Sequence, residues 1–184
     1  MSERVRHGVA LEVRRGDIAD QPDLEVVVNA ANAALAPGGG VAGAIHRAAG
    51  PGLYEECRGL APIRPGEAVI TGGHGLPNRW VIHCLGPVFG VDAPEAALLG
   101  ACYARALDLA EQHGLRTIGF PAISTGIFGY PAEAAARVAW GTILERLPRL
   151  SAVRLIRLVL FSEADRQLHE AVLAELFGAS CPER

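Results

Sequence analysis

Short apolar stretches alternate with amphipathic ones along almost the whole chain, and this alternation restricts the fold more than any other feature. Strand-like runs fall at residues 10–14, 24–29, 67–71, 80–85, 116–120 and 154–161, and helix-like runs at 41–49, 53–58, 94–113, 131–147 and 162–177. Strands followed repeatedly by helical stretches pack as a sheet with helices on both faces, so the chain reads as α/β. The strands are rich in Val, Ile and Leu, as strands buried on both sides must be, and aromatic residues make up only 5% of the chain. Pro94 and Pro131 stand where a first helical turn tolerates proline. The eight residues from Gly72 to Arg79 are too few for a crossover helix, so the strands they join pair antiparallel or sit apart. The expectation is therefore a mixed sheet of about six strands. Residues 1–184 read as one domain with its core at about 10–177 and a frayed tail at 178–184.

Charge and composition exclude several classes of partner. The net charge is −3 with a pI near 6.1, and no block of Lys or Arg supplies the basic stripe that nucleic-acid binding requires. No run reaches the roughly 18 apolar residues of a membrane span, and the first residues are polar, so a cytoplasmic protein without membrane contact is expected. Cys57, Cys84, Cys102 and Cys181 are scattered without a CxxC, and His7, His74, His83, His113 and His169 show no ligand spacing. Neither a metal nor a cofactor is expected.

Two glycine-rich loops carry the functional signal. Pro37-Gly38-Gly39-Gly40 and Ser124-Thr125-Gly126 each lie between an apolar strand-like run and a helix-like run. Glycines in that position let backbone N–H groups and helix N-termini approach an anion closely. Two such loops point to a diphosphate. Residues 38–43 satisfy the letters G-x-G-x-x-G, but the preceding strand ends near Asn29, whereas a Rossmann turn follows its strand directly.

Several side chains are candidates beside the loops. Asn29 and Asn32 follow an apolar strand at its carboxyl end, and Asn32 reads as an amide that recognises a hydroxyl. Ala42 and His46 are four apart on the next helix and share a face, which leaves His46 open as either a packed residue or a catalytic one. Ser124 lacks the flanking glycine of G-x-S-x-G, because Ala122 stands there, and reads as a phosphate or backbone ligand rather than a nucleophile. Asp17 and Phe161, both at strand ends, gain a role only if the ligand carries a base.

Taken in series, Gly16-Asp17-Ile18, Val28-Asn29-Ala30-Ala31-Asn32, PGGGVAGAIHRAAGP at 37–51, VIHCLGP at 81–87 and PAISTGIFGYP at 121–131 closely resemble the macrodomain family. The resemblance runs from about Leu11 to Phe177. It implies a three-layer α/β/α sandwich with a cleft for ADP-ribose, acting as a monomer on ADP-ribosylated proteins. By that likeness Asp17 would accept from the adenine amino group, Ile18 would offer its N–H, and Phe161 would flank the base. Asn29 and Asn32 would lie at the site, with Asn32 holding the distal ribose. Gly38, Gly39, Gly40 and Val41 would wrap the diphosphate from one side, and Ser124, Thr125, Gly126, Ile127 and Phe128 from the other. Asn32, Gly40 and His46 would serve the chemistry. The branch it most resembles removes ADP-ribose from acidic side chains and deacetylates O-acetyl-ADP-ribose, but usually has Asp where this chain has Ala42. A non-catalytic ADP-ribose reader and an ADP-ribose-1″-phosphate phosphatase share the same expected pocket.

Overall fold

In the computed structural model, which describes residues 3–179, the apolar runs become β1 (Arg4–Arg6), β2 (Val9–Arg15), β3 (Val26–Ala30), β4 (Ala68–Gly72), β5 (Trp80–Cys84), β6 (Thr117–Phe120) and β7 (Leu155–Leu160). The helices are α1 (Gly40–Ala49), α2 (Pro51–Cys57), α3 (Glu95–Gln112), α4 (Ala132–Arg146) and α5 (Glu163–Ala179). The described strands form one sheet in the order β1-β2-β7-β6-β3-β5-β4. The five inner strands run parallel, while β1 and β4 pair antiparallel at the two edges. The mixed sheet is as expected, but it has seven strands rather than about six.

The additional strand is β1. Two of its three residues are Arg, so no apolar run announces it, yet His7 and Gly8 both have positive φ (52° and 74°) and close a two-residue hairpin onto β2. The antiparallel reading of β4 and β5 holds, with Ala68 opposite Cys84 and Gly72 opposite Trp80. Their turn closes on Gly73, where a Cβ would stand 1.8 Å from the Asn78 carbonyl oxygen. Pro94 and Pro131 lie one residue before their helices, in extended N-cap conformations, rather than within the first turn. Gly178 and Ala179 continue α5 rather than fraying, and the remainder of the expected tail, with Cys181, lies outside the described residues.

Alternate residues of each inner strand divide the core in two. Val26, Val28, Ile118, Phe120, Ile156 and Leu158 face α3, α4 and α5, packing with Tyr103, Trp140 and Leu173. Val27, Val81 and Val159 face the other way, toward Ile45 and Ala49 of α1 and Leu53 and Cys57 of α2. The result is a helix–sheet–helix sandwich. Within the sheet β3 lies between β5 and β6, so the chain leaves β3 for one neighbour and later returns to the other side. A crevice forms at such a reversal, beyond the carboxyl ends of the strands.

Candidate functional site

A cleft of about 330 Å³ opens at that reversal, lined by residues 30–32, 38–42, 86, 122–124 and 126–128. No charged side chain lines it. Its polarity comes from backbone, from Asn32 and from Ser124.

The glycine loop supplies donors because of how α1 begins. Gly39 caps the helix with no side-chain hydrogen bond and no acidic residue stands in the first turn, and the Gly43 N–H is the first to bond back into it, to the Gly39 carbonyl at 3.2 Å. The N–H groups of Gly40, Val41 and Ala42 precede it and have no carbonyl within the helix, so the positive end of the helix dipole is left for an anion. Two glycines fix the loop's shape. Gly40 has φ +56°, and a Cβ on Gly43 would come 2.4 Å from the Gly38 carbonyl oxygen, so only glycine at 43 lets the loop fold back on its helix.

The opposite wall is equally constrained. Ser124 has φ +67°, is buried, and its hydroxyl has no hydrogen-bond partner among the described residues. A Cβ on Gly86 would stand 2.1 Å from Ser124 Oγ, so that glycine, just after β5, lets the two walls meet. The loop is closed by Tyr130 N–H to the Ser124 carbonyl (2.9 Å) and Gly129 N–H to the Gly126 carbonyl (3.1 Å). The Thr125 hydroxyl donates to the Ala122 carbonyl at 3.1 Å, so Thr125 braces the loop and does not line the cleft. Ile127 is fully exposed at the rim.

Asn32 lines the cleft and is held by its own chain: Oδ1 accepts from the Ala36 N–H at 3.0 Å and Nδ2 donates to the Ala36 carbonyl at 2.9 Å. One amide hydrogen and one lone pair stay available, enough to recognise a hydroxyl. Asn29 departs from expectation. Strand alternation turns it into the interior, where Nδ2 donates to His83 Nδ1 at 3.0 Å, and it does not line the cleft. That bond leaves the His83 proton on Nε2, which donates to Thr71 Oγ1 at 2.9 Å; the Thr71 hydroxyl donates on to the Gly72 carbonyl. The network ties β3, β5 and β4 together. Burial pushes the His83 pKa down to about 3, so the ring is neutral.

His46 is also placed away from the cleft. It lies against a neighbouring hollow with Pro37, Gly38, Gly43, Arg47 and Tyr54, on the far side of the glycine loop, and both its ring nitrogens are buried without partners. Burial lowers its pKa, leaving a neutral imidazole. Ala42, one turn earlier, does line the cleft, so the shared face predicted from spacing straddles the loop.

Asp17, Ile18 and Phe161 lie beyond the lining, at the adjoining carboxyl ends of β2 and β7, which the Gly16 N–H to Leu160 carbonyl bond (2.9 Å) holds together. Phe161 is 87% exposed, while the Ile18 side chain is buried in the core. Asp17 Oδ1 accepts from the Ala19 N–H at 2.8 Å. Among the described residues no group of three or more His, Cys, Asp or Glu side chains is arranged to hold a metal. Sequence reasoning missed Ala30, Ala31, Gly86, Ala122 and Ile123 as lining residues. Their signal was positional, since each lies at or within three residues of the carboxyl end of an inner strand.

Fold and cleft together define an α/β/α protein that presents backbone donors to an anion at a sheet reversal. The Macro domain family model matches residues 28–139. The chain is 45% identical to ADP-ribose glycohydrolase MACROD1 of Bos taurus, over 89% of this chain and 51% of that protein, and 44% identical to an O-acetyl-ADP-ribose deacetylase of Enterobacter sp., over 90% and 94%. The structure of an Oceanobacillus iheyensis macrodomain with ADP superposes with a TM-score of 0.92 at 38% identity, covering 97% of each chain. The chain belongs to the Macro domain family.

Proposed function

We propose that this protein binds ADP-ribose and hydrolyses it from acidic side chains of proteins, with O-acetyl-ADP-ribose as a related ester substrate. The observation that carries the reading is the uncapped start of α1 facing the Ser124 loop across a cleft that holds no carboxylate. A diphosphate between these walls meets helix-end N–H groups on one side and the unpartnered Ser124 hydroxyl on the other. The distal ribose then reaches Asn32 and Ala42, and the base extends toward Asp17, Ile18 and Phe161.

In this geometry water adds at the distal ribose as the bond to the acyl oxygen breaks. The proton passes to solvent or a diphosphate oxygen, and the acceptor side chain departs as a carboxylate. A carboxylate leaves without protonation, so a strong general acid is unnecessary and orientation supplies much of the acceleration. That suits a site where Ala42 offers no carboxylate and His46 stands behind the loop. The same alanine favours a second reading, a module that holds ADP-ribose without cleaving it. Calorimetric titration with ADP-ribose and AMP tests the binding step: ADP-ribose should bind at least about tenfold tighter, because only it spans both loops and the Asn32 end. Equal affinities would refute the two-loop site.

A further inference from the structure

Arg157, in the middle of β7, is 1% exposed, and each nitrogen of its guanidinium donates at least one hydrogen bond. Nε donates to Glu12 Oε2 of β2 at 2.6 Å, its register partner across the sheet. The terminal nitrogens grip Asp23 in a fork at 2.9 and 2.7 Å, and one of them also donates to Gln21 Oε1 at 3.0 Å. Gln21 in turn donates through Nε2 to the Asp17 carbonyl at 2.9 Å. Asn78 closes the other end of the same segment, donating to the carbonyls of Gln21 (2.7 Å) and Leu24 (2.8 Å).

These bonds converge on residues 17–24, the segment that leaves β2 beside Phe161. A buried guanidinium gives up hydration that only close pairing returns, and an apolar residue of similar size often stabilises a core equally well. Stability alone therefore does not account for a charge at position 157. What the network adds is a tie from the Asp17 carbonyl, which also accepts from the Asp20 N–H at 3.0 Å, through Gln21 to the guanidinium in β7. We infer that Arg157 is a positioning residue for base recognition: through Gln21 it sets where the Asp17 carboxylate and the Ile18 N–H stand beside Phe161, and so determines selectivity for an amino-bearing purine. The inference rests on the reading above that the base lies at this end of the cleft.

The test is calorimetric titration of the full chain and of Arg157→Met, Arg157→Lys and Gln21→Met with ADP-ribose and with its hypoxanthine analogue, which lacks the amino group. A site built to accept from that group rejects the analogue, so wild type should prefer ADP-ribose by about tenfold or more. Arg157→Met and Gln21→Met should erase most of that preference while leaving affinity for the analogue close to wild type. Arg157→Lys should restore part of it. A purely structural role would lower Tm and weaken both ligands in parallel, leaving their ratio unchanged, and that result overturns the inference. Gln21→Met leaves the Arg157–Glu12 and Arg157–Asp23 pairs in place, so it decides the matter if Arg157→Met does not fold. Wild type that binds neither ligand, or both equally, would refute the reading of the base end itself. Preserved wild-type selectivity in both Met variants would refute only the role of Arg157.

Discussion

At the scale of single residues, the cleft is set by glycines that serve different physical ends. A Cβ on Gly126 meets nothing within 4 Å, whereas one on Gly40 would carry the strain of φ +56°. Gly126→Glu is therefore the clean probe of anion binding: it places a carboxylate at the cleft without disturbing the core, and calorimetry should show ADP-ribose affinity reduced by about a hundredfold or more, with Tm within a few degrees of wild type. Asn32→Ala should act on rate. Its amide lines the cleft where the proposed pose puts the distal ribose, so single-turnover release of ADP-ribose should slow by about a hundredfold while affinity falls much less. An unchanged rate would remove Asn32 from the chemistry. The placement of the glycine loops and Asn32 at the cleft was legible in the sequence because it depends on backbone freedom and local order along the chain. Asn29 and His46 were misplaced for a shared reason: three-residue proximity and helical face arithmetic do not say which side of a strand or loop a side chain meets once neighbours pack. The interior partner of Asn29, His83, lies 54 residues away.

Among elements, the start of α1 is where local structure becomes function. Gly43 lets the Gly38 carbonyl lie against the helix, so Gly43→Ala must push the loop outward, since the new Cβ would meet a backbone oxygen at 2.4 Å. This single methyl should cost about 1–3 kcal/mol of stability and weaken ADP-ribose binding by tenfold or so through loss of helix-end N–H alignment, readable by denaturant melts and titration on the same sample. The strand and helix runs could be read in advance because the buried parallel strands are rich in Val, Ile and Leu, as in Val26-Val27-Val28 and Leu158-Val159-Leu160. The edge strand β1 could not, being short and two-thirds Arg. Strand order was equally hidden, because β6 enters between β3 and β7 through contacts that no local pattern encodes.

The molecule as a whole holds buried imidazoles neutral, and this sets its response to acid. Burial lowers the pKa of His83 to about 3 and of His169 to about 4, whereas the unfolded chain takes up those protons near pH 6.5. Between about pH 6.5 and 4 the unfolded state thus binds more protons than the native one. Stability should fall with decreasing pH across that window by about 1 kcal/mol per pH unit for each ring. Urea melts from pH 7.5 to 4.5 measure it; His83→Phe should flatten the slope, and a wild-type profile flat over this range would mean that the native rings take up protons as readily as the unfolded ones. Hydrolysis itself is measured with excess protein mixed with a polypeptide carrying mono-ADP-ribose on glutamate, following free ADP-ribose and unmodified glutamate by chromatography and mass spectrometry. The expected result is first-order release of ADP-ribose, matched one for one by restored glutamate. Tight retention of the modified polypeptide with release no faster than in buffer would contradict hydrolysis and leave a reader of ADP-ribose.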